Sequence, residues 1–350
     1  GWKDKPMNIE TPVEALKPND YASDQEVRWC PGCGDYAIIK GVHRTLAELQ
    51  IPLEKLVFFS GIGCAARFPY YMASYGFHTI HGRAPALATG AKLANPDLDI
   101  WVVMGDGDAL SIGGNHTMHA IRRNVDLNLL LFNNEIYGLT KGQYSPTSQL
   151  GTRSPSTPQG SVDAPLTALS LALGAGARFV ARTFDTNQKQ MPGVLKAAHA
   201  HKGASLVEII QNCIVYNDGA FDGWTNKKVV SDNSISVEHG KPLIFGADSN
   251  KGLAKSDDGF GIQAVTIGEN GVTEADILIH DETNKILAMM LADMKQPEFP
   301  VALGVLYNNP AKAFDEAVHE QLREVTEANP AGSLNDMLRK GRTWTVEEGA

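Results

Sequence analysis

Four cysteines occur in the 350 residues, and two of them, Cys30 and Cys33, share one tight Cys-Pro-Gly-Cys turn. Two thiolates so close can bind one soft metal or cluster, form a redox disulfide, or make half a zinc site. Cys64 ends the run Gly61-Ile62-Gly63-Cys64, and Cys213 follows the apolar stretch Ala204–Ile210. If all four converge they form a Cys₄ set, which suits a 4Fe–4S cluster and structural zinc alike. Four unconnected buried thiols are the plain alternative. A second constellation is Gly105-Asp106-Gly107, followed after 25 residues by Asn133-Asn134. A carboxylate, an amide oxygen and a backbone carbonyl, completed by diphosphate oxygens and water, give the all-oxygen octahedron that Mg²⁺ prefers. The flanking glycines let the backbone approach an anion. Gly113-Gly114 would then open a helix whose free N–H groups favour phosphate.

These groups need a scaffold that aims them at one place. Apolar residues at helical spacing over 35–49 precede a short apolar strand at 56–60. A helix at 83–94 leads to a strand at 99–104, and a helix at 114–123 to a strand at 127–132. A loop rich in Gly, Ser, Thr and Pro spans 133–160. Helix and strand then alternate at 164–173, 178–182, 186–200 and 204–210. Such alternation predicts an α/β protein with a doubly wound, mostly parallel sheet. Ligands of such sheets sit beyond the carboxyl ends of the strands, where both glycine-rich motifs and Cys213 fall. We therefore divide the chain into an extended arm at 1–25, a main domain at 26–235 and a C-terminal extension at 236–350. Loops are expected over 236–275 and helices at 276–295 and 311–328.

Composition narrows the function. Hydrophobic residues make up 43% and charged residues 20%, as in ordinary globular domains. The net charge of −9 runs against the basic excess that non-specific nucleic-acid binding needs. No apolar run approaches the roughly 20 residues of a membrane span, and the first 29 residues have no signal-peptide core. The expectation is a cytoplasmic protein with no membrane or nucleic-acid partner.

The Asp106 and Asn134 spacing is similar to the thiamine-diphosphate motif. Taken with WCPGCG (29–34), GIGC (61–64), HGRAPALATGAKLANP (81–96), NNEIYGLTKGQ (133–143) and NCIVYND (212–218), the chain over 26–225 closely resembles the β subunits of 2-oxoacid:ferredoxin oxidoreductases. The resemblance implies the diphosphate-binding half of the thiamine-diphosphate fold. Asp106, Asn134 and the carbonyl of Ile136 would hold Mg²⁺. Gly105, Gly107, Asp108, Gly113, Gly114, Gly138 and Leu139 would complete the cofactor site. Cys30, Cys33, Cys64 and Cys213 would ligate one 4Fe–4S cluster. The implied activity is thiamine-dependent, reversible oxidative decarboxylation of a 2-oxoacid, with coenzyme A accepting the acyl group and ferredoxin the electrons. Run backwards, it would fix carbon dioxide.

The family also places an activating glutamate on a separate α subunit with the pyrimidine-binding domain, implying an α₂β₂ heterotetramer with no certain catalytic residue on this chain. The tail beyond 235 resembles the longer subunits of the 2-oxoglutarate type. Arg67, three residues after Cys64, is suited to a distal carboxylate; an ion pair at a surface or interface is its plainer reading. Leu139 stands where pyruvate-specific relatives look to carry Asn, which would leave room for a longer substrate. Together they favour 2-oxoglutarate over pyruvate or a broad 2-oxoacid range, and a zinc-stabilised binding subunit is the non-enzyme alternative. His116 and His119 have metal-ligand spacing on a helix, but no partner. His78 and His81 flank the thiamine region, and Lys141 is a weaker candidate for the diphosphate.

Overall fold

The computed structural model describes residues 15–329, 332–341 and 343–349. Most of the expected arm, residues 1–14, lies outside them. The part that is described turns through a short 3₁₀ helix at Pro18–Tyr21. The Tyr21 hydroxyl there donates to the Ile51 carbonyl at 2.8 Å, fixing the turn to the body.

Helix α1 (Asp35–Leu49) leads to β1 (Leu56–Ser60), a 3₁₀ helix (Ala65–Tyr71), β2 (Tyr75–His78), α2 (Ala84–Ala94) and β3 (Asp99–Gly105). A single π turn (Asp108–Ile112) precedes α3 (Gly114–Arg123) and β4 (Leu127–Asn133). A hairpin, β5 (Ile136–Tyr137) and β6 (Gln143–Tyr144), interrupts the long loop before α4 (Ala168–Gly174), β7 (Phe179–Phe184), α5 (Met191–Ala200) and β8 (Ala204–Ile210). Then come α6 (Asp222–Thr225), α7 (Val230–Asn233), β9 (Ser234–Val237), β10 (Ile244–Phe245), β11 (Lys251–Lys255) and β12 (Ile262–Thr266). Helix α8 (Lys285–Asp293), β13 (Val301–Asn308), α9 (Phe314–Ala328) and α10 (Leu334–Arg339) close the order.

The apolar runs become strands because each buries both faces, as parallel strands covered by helices must. Val57, Phe59, Val102, Met104, Leu129 and Leu131 pack on α2, α3, α4 and α8. Leu56, Phe58, Trp101, Val103, Leu130 and Phe132 point the other way, onto α1 and α5. The eight strands lie in the order β2-β1-β3-β4-β8-β7-β13-β9. All neighbouring pairs are parallel except β13 against β7, so the expected α/β class and doubly wound sheet are observed. Register sets the carboxyl edge: Ser60 faces Val103, Gly105 faces Phe132, and Asn133 faces Ile210. The turns after β1, β3, β4 and β8 therefore leave from four adjacent positions.

The C-terminal part departs from the expected loops followed by helices. β9 and β13 join the main sheet, and β10–β12 form a separate three-stranded antiparallel sheet. Those three strands are two to five residues long, and Ile262–Thr266 is only partly buried, so their sequence carries too short an apolar pattern to be read as strands. The helix expected over 276–295 occupies only its last part, where Asn284 caps α8 by accepting from the backbone N–H groups of Ile286 and Leu287. Among the described residues no helix is long and apolar enough to cross a membrane.

Candidate functional site

Two adjoining cavities open at the carboxyl edge. The first is lined by the turns after β1, β3 and β4, with His81 at one side. Asp106 is a buried acid of this cavity, 3% exposed. Its carboxylate accepts from the Ser145 hydroxyl at 2.5 Å and the Thr147 hydroxyl at 2.6 Å. Burial nevertheless raises its pKa, with the two hydroxyls opposing that shift. A cation would relieve the penalty.

Asn134 is held from both ends. Its Nδ2 donates to Gln211 Oε1 at 2.8 Å, and its Oδ1 accepts from the Ile136 N–H at 3.1 Å. Asp108 Oδ1 accepts from the Gly82 N–H at 2.7 Å, the Ile62 N–H at 3.2 Å and His81 Nδ1 at 2.6 Å. Asp108 thus ties the β1 turn to the segment before α2. Burial raises its pKa too. Gly107 must be glycine, since a Cβ there would lie 2.0 Å from the Tyr137 ring.

The second cavity is lined by Cys30, Cys33, Cys64 and Cys213, with Trp29, Arg67 and Ile214 beside them. The Cys-Pro-Gly-Cys turn closes with the Cys33 N–H donating to the Cys30 carbonyl at 3.0 Å. The Gly34 N–H donates to the Asn212 carbonyl at 3.2 Å and anchors the turn to the end of β8. Gly138 keeps the opposite wall thin, for a Cβ there would meet the Cys213 and Cys64 sulfurs at 3.5 and 3.7 Å. All four cysteines are free. Burial, and then the nearby Asp35 carboxylate, push the Cys64 thiol up to about 11 and raise Cys33 as well. Among the described residues no three His, Cys, Asp or Glu side chains surround a single-ion site.

The cavities share a wall. Cys64, Asn134, Gly138 and Gln211 line both. Of the residues singled out in the sequence, Gly105, Asp106, Gly107, Asp108, Asn134, Ile136, Gly138 and Leu139 line the first cavity and the four cysteines the second. Gly113 and Gly114 begin α3 as expected, but they sit behind the π turn and outside the cavity wall. Arg67 lines the cysteine cavity, its guanidinium donating to the Arg28 carbonyl at 2.9 Å, and so lies across the shared wall from Leu139. His78 contacts the Tyr70 hydroxyl at 3.2 Å, and His119 accepts from Arg122 at 3.1 Å. Neither lines the Asp106 cavity, whereas His81 does.

Sequence reading missed Ser145, Thr147 and Gln211. The first two sit in the loop after β6, where Ser and Thr read as turn residues. Gln211 stands two residues before Cys213, at a strand's carboxyl end, and that position was the available signal.

A carboxylate and an amide at the edge of a doubly wound sheet, beside glycine-lined backbone, define a thiamine-diphosphate-binding α/β protein. The family model "Thiamine pyrophosphate enzyme, C-terminal TPP binding domain" matches residues 61–209. The chain is 47% identical over 348 residues to the 2-oxoglutarate oxidoreductase subunit KorB of Mycobacterium tuberculosis, covering 98% of this chain and 92% of that relative. It is 41% identical over 203 residues to the 2-oxoacid:ferredoxin oxidoreductase subunit beta of Saccharolobus solfataricus, covering 57% of this chain and 67% of that one. A solved 2-oxoglutarate:ferredoxin oxidoreductase from Magnetococcus marinus, with 2-oxoglutarate, coenzyme A and succinyl-CoA bound, superposes with a TM-score of 0.75 at 34% identity. That match covers 95% of this chain and 98% of the other. The chain belongs to the β subunits of the 2-oxoacid:ferredoxin oxidoreductases, an enzyme family, and its full-length relative is of the 2-oxoglutarate type.

Proposed function

We propose that this chain is the β subunit of a cytoplasmic 2-oxoglutarate:ferredoxin oxidoreductase, forming succinyl-CoA and carbon dioxide from 2-oxoglutarate and coenzyme A. The observation that carries the reading is the shared wall, which sets a four-thiol cavity directly against the Asp106 cavity. Thiamine diphosphate would supply the carbanion chemistry and a 4Fe–4S cluster the one-electron steps. Asp106, Asn134 Oδ1 and the Ile136 carbonyl would hold Mg²⁺, and Ser145 and Thr147 fix the rotamer of the Asp106 carboxylate. His81, oriented by Asp108, would stand ready to hold or move a proton at Nε2. Cys30, Cys33, Cys64 and Cys213 would bind the cluster. Free thiols suit a reducing compartment.

Leu139, exposed at the rim, would leave room for the longer substrate, and Arg67 would meet a carboxylate from the cysteine side. The carboxylates of the first cavity, Asp106 and Asp108, are both engaged within it. The activating glutamate, which the family resemblance places on a separate subunit, is assigned to an α subunit, in an α₂β₂ assembly that passes electrons to ferredoxin. The test is anaerobic co-expression with the α subunit, followed by ferredoxin reduction with thiamine diphosphate, Mg²⁺ and coenzyme A. Reduction with 2-oxoglutarate in preference to pyruvate is expected. Preference for pyruvate would discard the substrate, and no reduction by a cluster-loaded complex would discard the function.

A further inference from the structure

We propose that Gln211 is a positioning residue that couples the two cavities, presenting the Asn134 amide oxygen on one side and hydrogen-bonding the Cys33 sulfur on the other. The inference rests on the reading of those cavities as the Mg²⁺–diphosphate and cluster sites. Gln211 is the first residue after β8 and is 2% exposed. Its backbone N–H donates to the Asn133 carbonyl at 2.9 Å, pinning it beside the asparagine pair.

Its side chain makes three bonds. Oε1 accepts from Asn134 Nδ2 at 2.8 Å, and Nε2 donates to the Asn212 carbonyl at 2.7 Å and to Cys33 Sγ at 3.1 Å. Backbone groups decide the orientation of both amides. The Asn212 carbonyl can only accept, so Nε2 must face it, which turns Oε1 toward Asn134. The Ile136 N–H can only donate, so Asn134 must turn Oδ1 toward it and Nδ2 toward Gln211. The Asn217 side chain donates to the Asn134 carbonyl at 2.8 Å and steadies the same residue.

Two consequences follow from one amide. Asn134 cannot flip its nitrogen to the position a metal ligand must fill with oxygen. Cys33 receives a neutral N–H donor, and hydrogen bonds to sulfur help to set a cluster's reduction potential. A carboxamide is the side chain that does both, because it carries an acceptor and a donor on one rigid plane. Gln211→Met keeps the length and removes both functions. Gln211→Glu keeps the acceptor toward Asn134 and removes the donor toward Cys33 and the Asn212 carbonyl. It also sets a carboxylate in its place, so loss of the donor and added charge both move the potential the same way.

The experiment uses the complex with the α subunit, purified without oxygen. Iron and thiamine diphosphate contents of the unaltered complex test the underlying reading by themselves. The coupling is read from the difference between variants and unaltered complex. Mg²⁺ affinity is measured by titration at fixed thiamine diphosphate, and the cluster midpoint potential by redox titration followed by electron paramagnetic resonance. In Gln211→Met we expect Mg²⁺ affinity to fall about 10–100-fold, as for other residues that orient metal ligands, and the potential to become more negative. In Gln211→Glu the potential shifts in the same direction while most Mg²⁺ affinity remains. Unchanged Mg²⁺ affinity in Gln211→Met overturns the proposal. So does an unchanged potential in Gln211→Glu, the isosteric variant that decides the question if Gln211→Met fails to assemble.

Discussion

Asp106 and Asn134 face their cavity with partners already in place: two hydroxyls on the carboxylate, a glutamine and a backbone N–H on the amide. Cys33, across the shared wall, and Cys64, within it, face the second cavity as thiols whose ionisation burial opposes. The first cavity is preorganised, so its geometry stands before any ligand arrives. At Cys33 and Cys64, thiolate charge would be favoured by something electropositive entering, because soft metals bind thiolates and release protons as they do so. Oxygen and nitrogen donors can be held by hydrogen bonds. Sulfur is a weak acceptor, so loops and glycines bring the thiols together instead.

That contrast can be broken experimentally. The largest effect is expected from Cys64→Ser. It should abolish the visible absorption and iron content of the complex, and with them ferredoxin reduction, while thiamine diphosphate still binds; zinc in place of iron in the unaltered protein would contradict the assignment. Next is Asp106→Asn, which keeps the shape and removes the charge. Mg²⁺-dependent thiamine diphosphate binding should weaken by at least about 100-fold, above the range for outer residues, measured calorimetrically. Its iron content should not change, and a loss there would mean that the cavities do not assemble independently.

Leu139→Asn should move the kcat/KM ratio of 2-oxoglutarate over pyruvate toward pyruvate by about 10-fold, the scale of one altered pocket contact. An unmoved ratio would take Leu139 out of substrate selection. The smallest effect is expected outside both cavities. Burial in α1 lowers the His43 pKa from 6.5 to about 4. The unfolded chain therefore binds the extra proton first, and the stability contributed by neutral His43 is lost as pH falls from about 6.5 toward 4. His43→Leu should flatten that part of the pH profile of urea midpoints, and an equal slope in both proteins would show that His43 does not set it.

Much of the first cavity was legible because its residues are local to strand ends. A run such as Asp99–Gly105, apolar on both faces, reads as a buried strand, and an acid just past its end must emerge at the sheet's edge. Ser145 and Thr147 were not legible, since they return to Asp106 from a loop about 40 residues on, across a hairpin with two residues in each strand. The same holds for β13. Its apolar sequence allows a strand, but nothing local says that it enters the main sheet antiparallel between β7 and β9.

By itself the sequence determined the α/β alternation, the family and the chemistry available at each strand end, because propensity, apolar period and glycine turns act over a few residues. Only the tertiary structure decided that β1, β3, β4 and β8 stand side by side, so that Cys64, Asp106, Asn134 and Gln211 meet around two cavities. Strand order is a long-range choice, set by how helices cover both faces of the sheet. Its result here is one buried glutamine amide bonded to Asn134 and to Cys33.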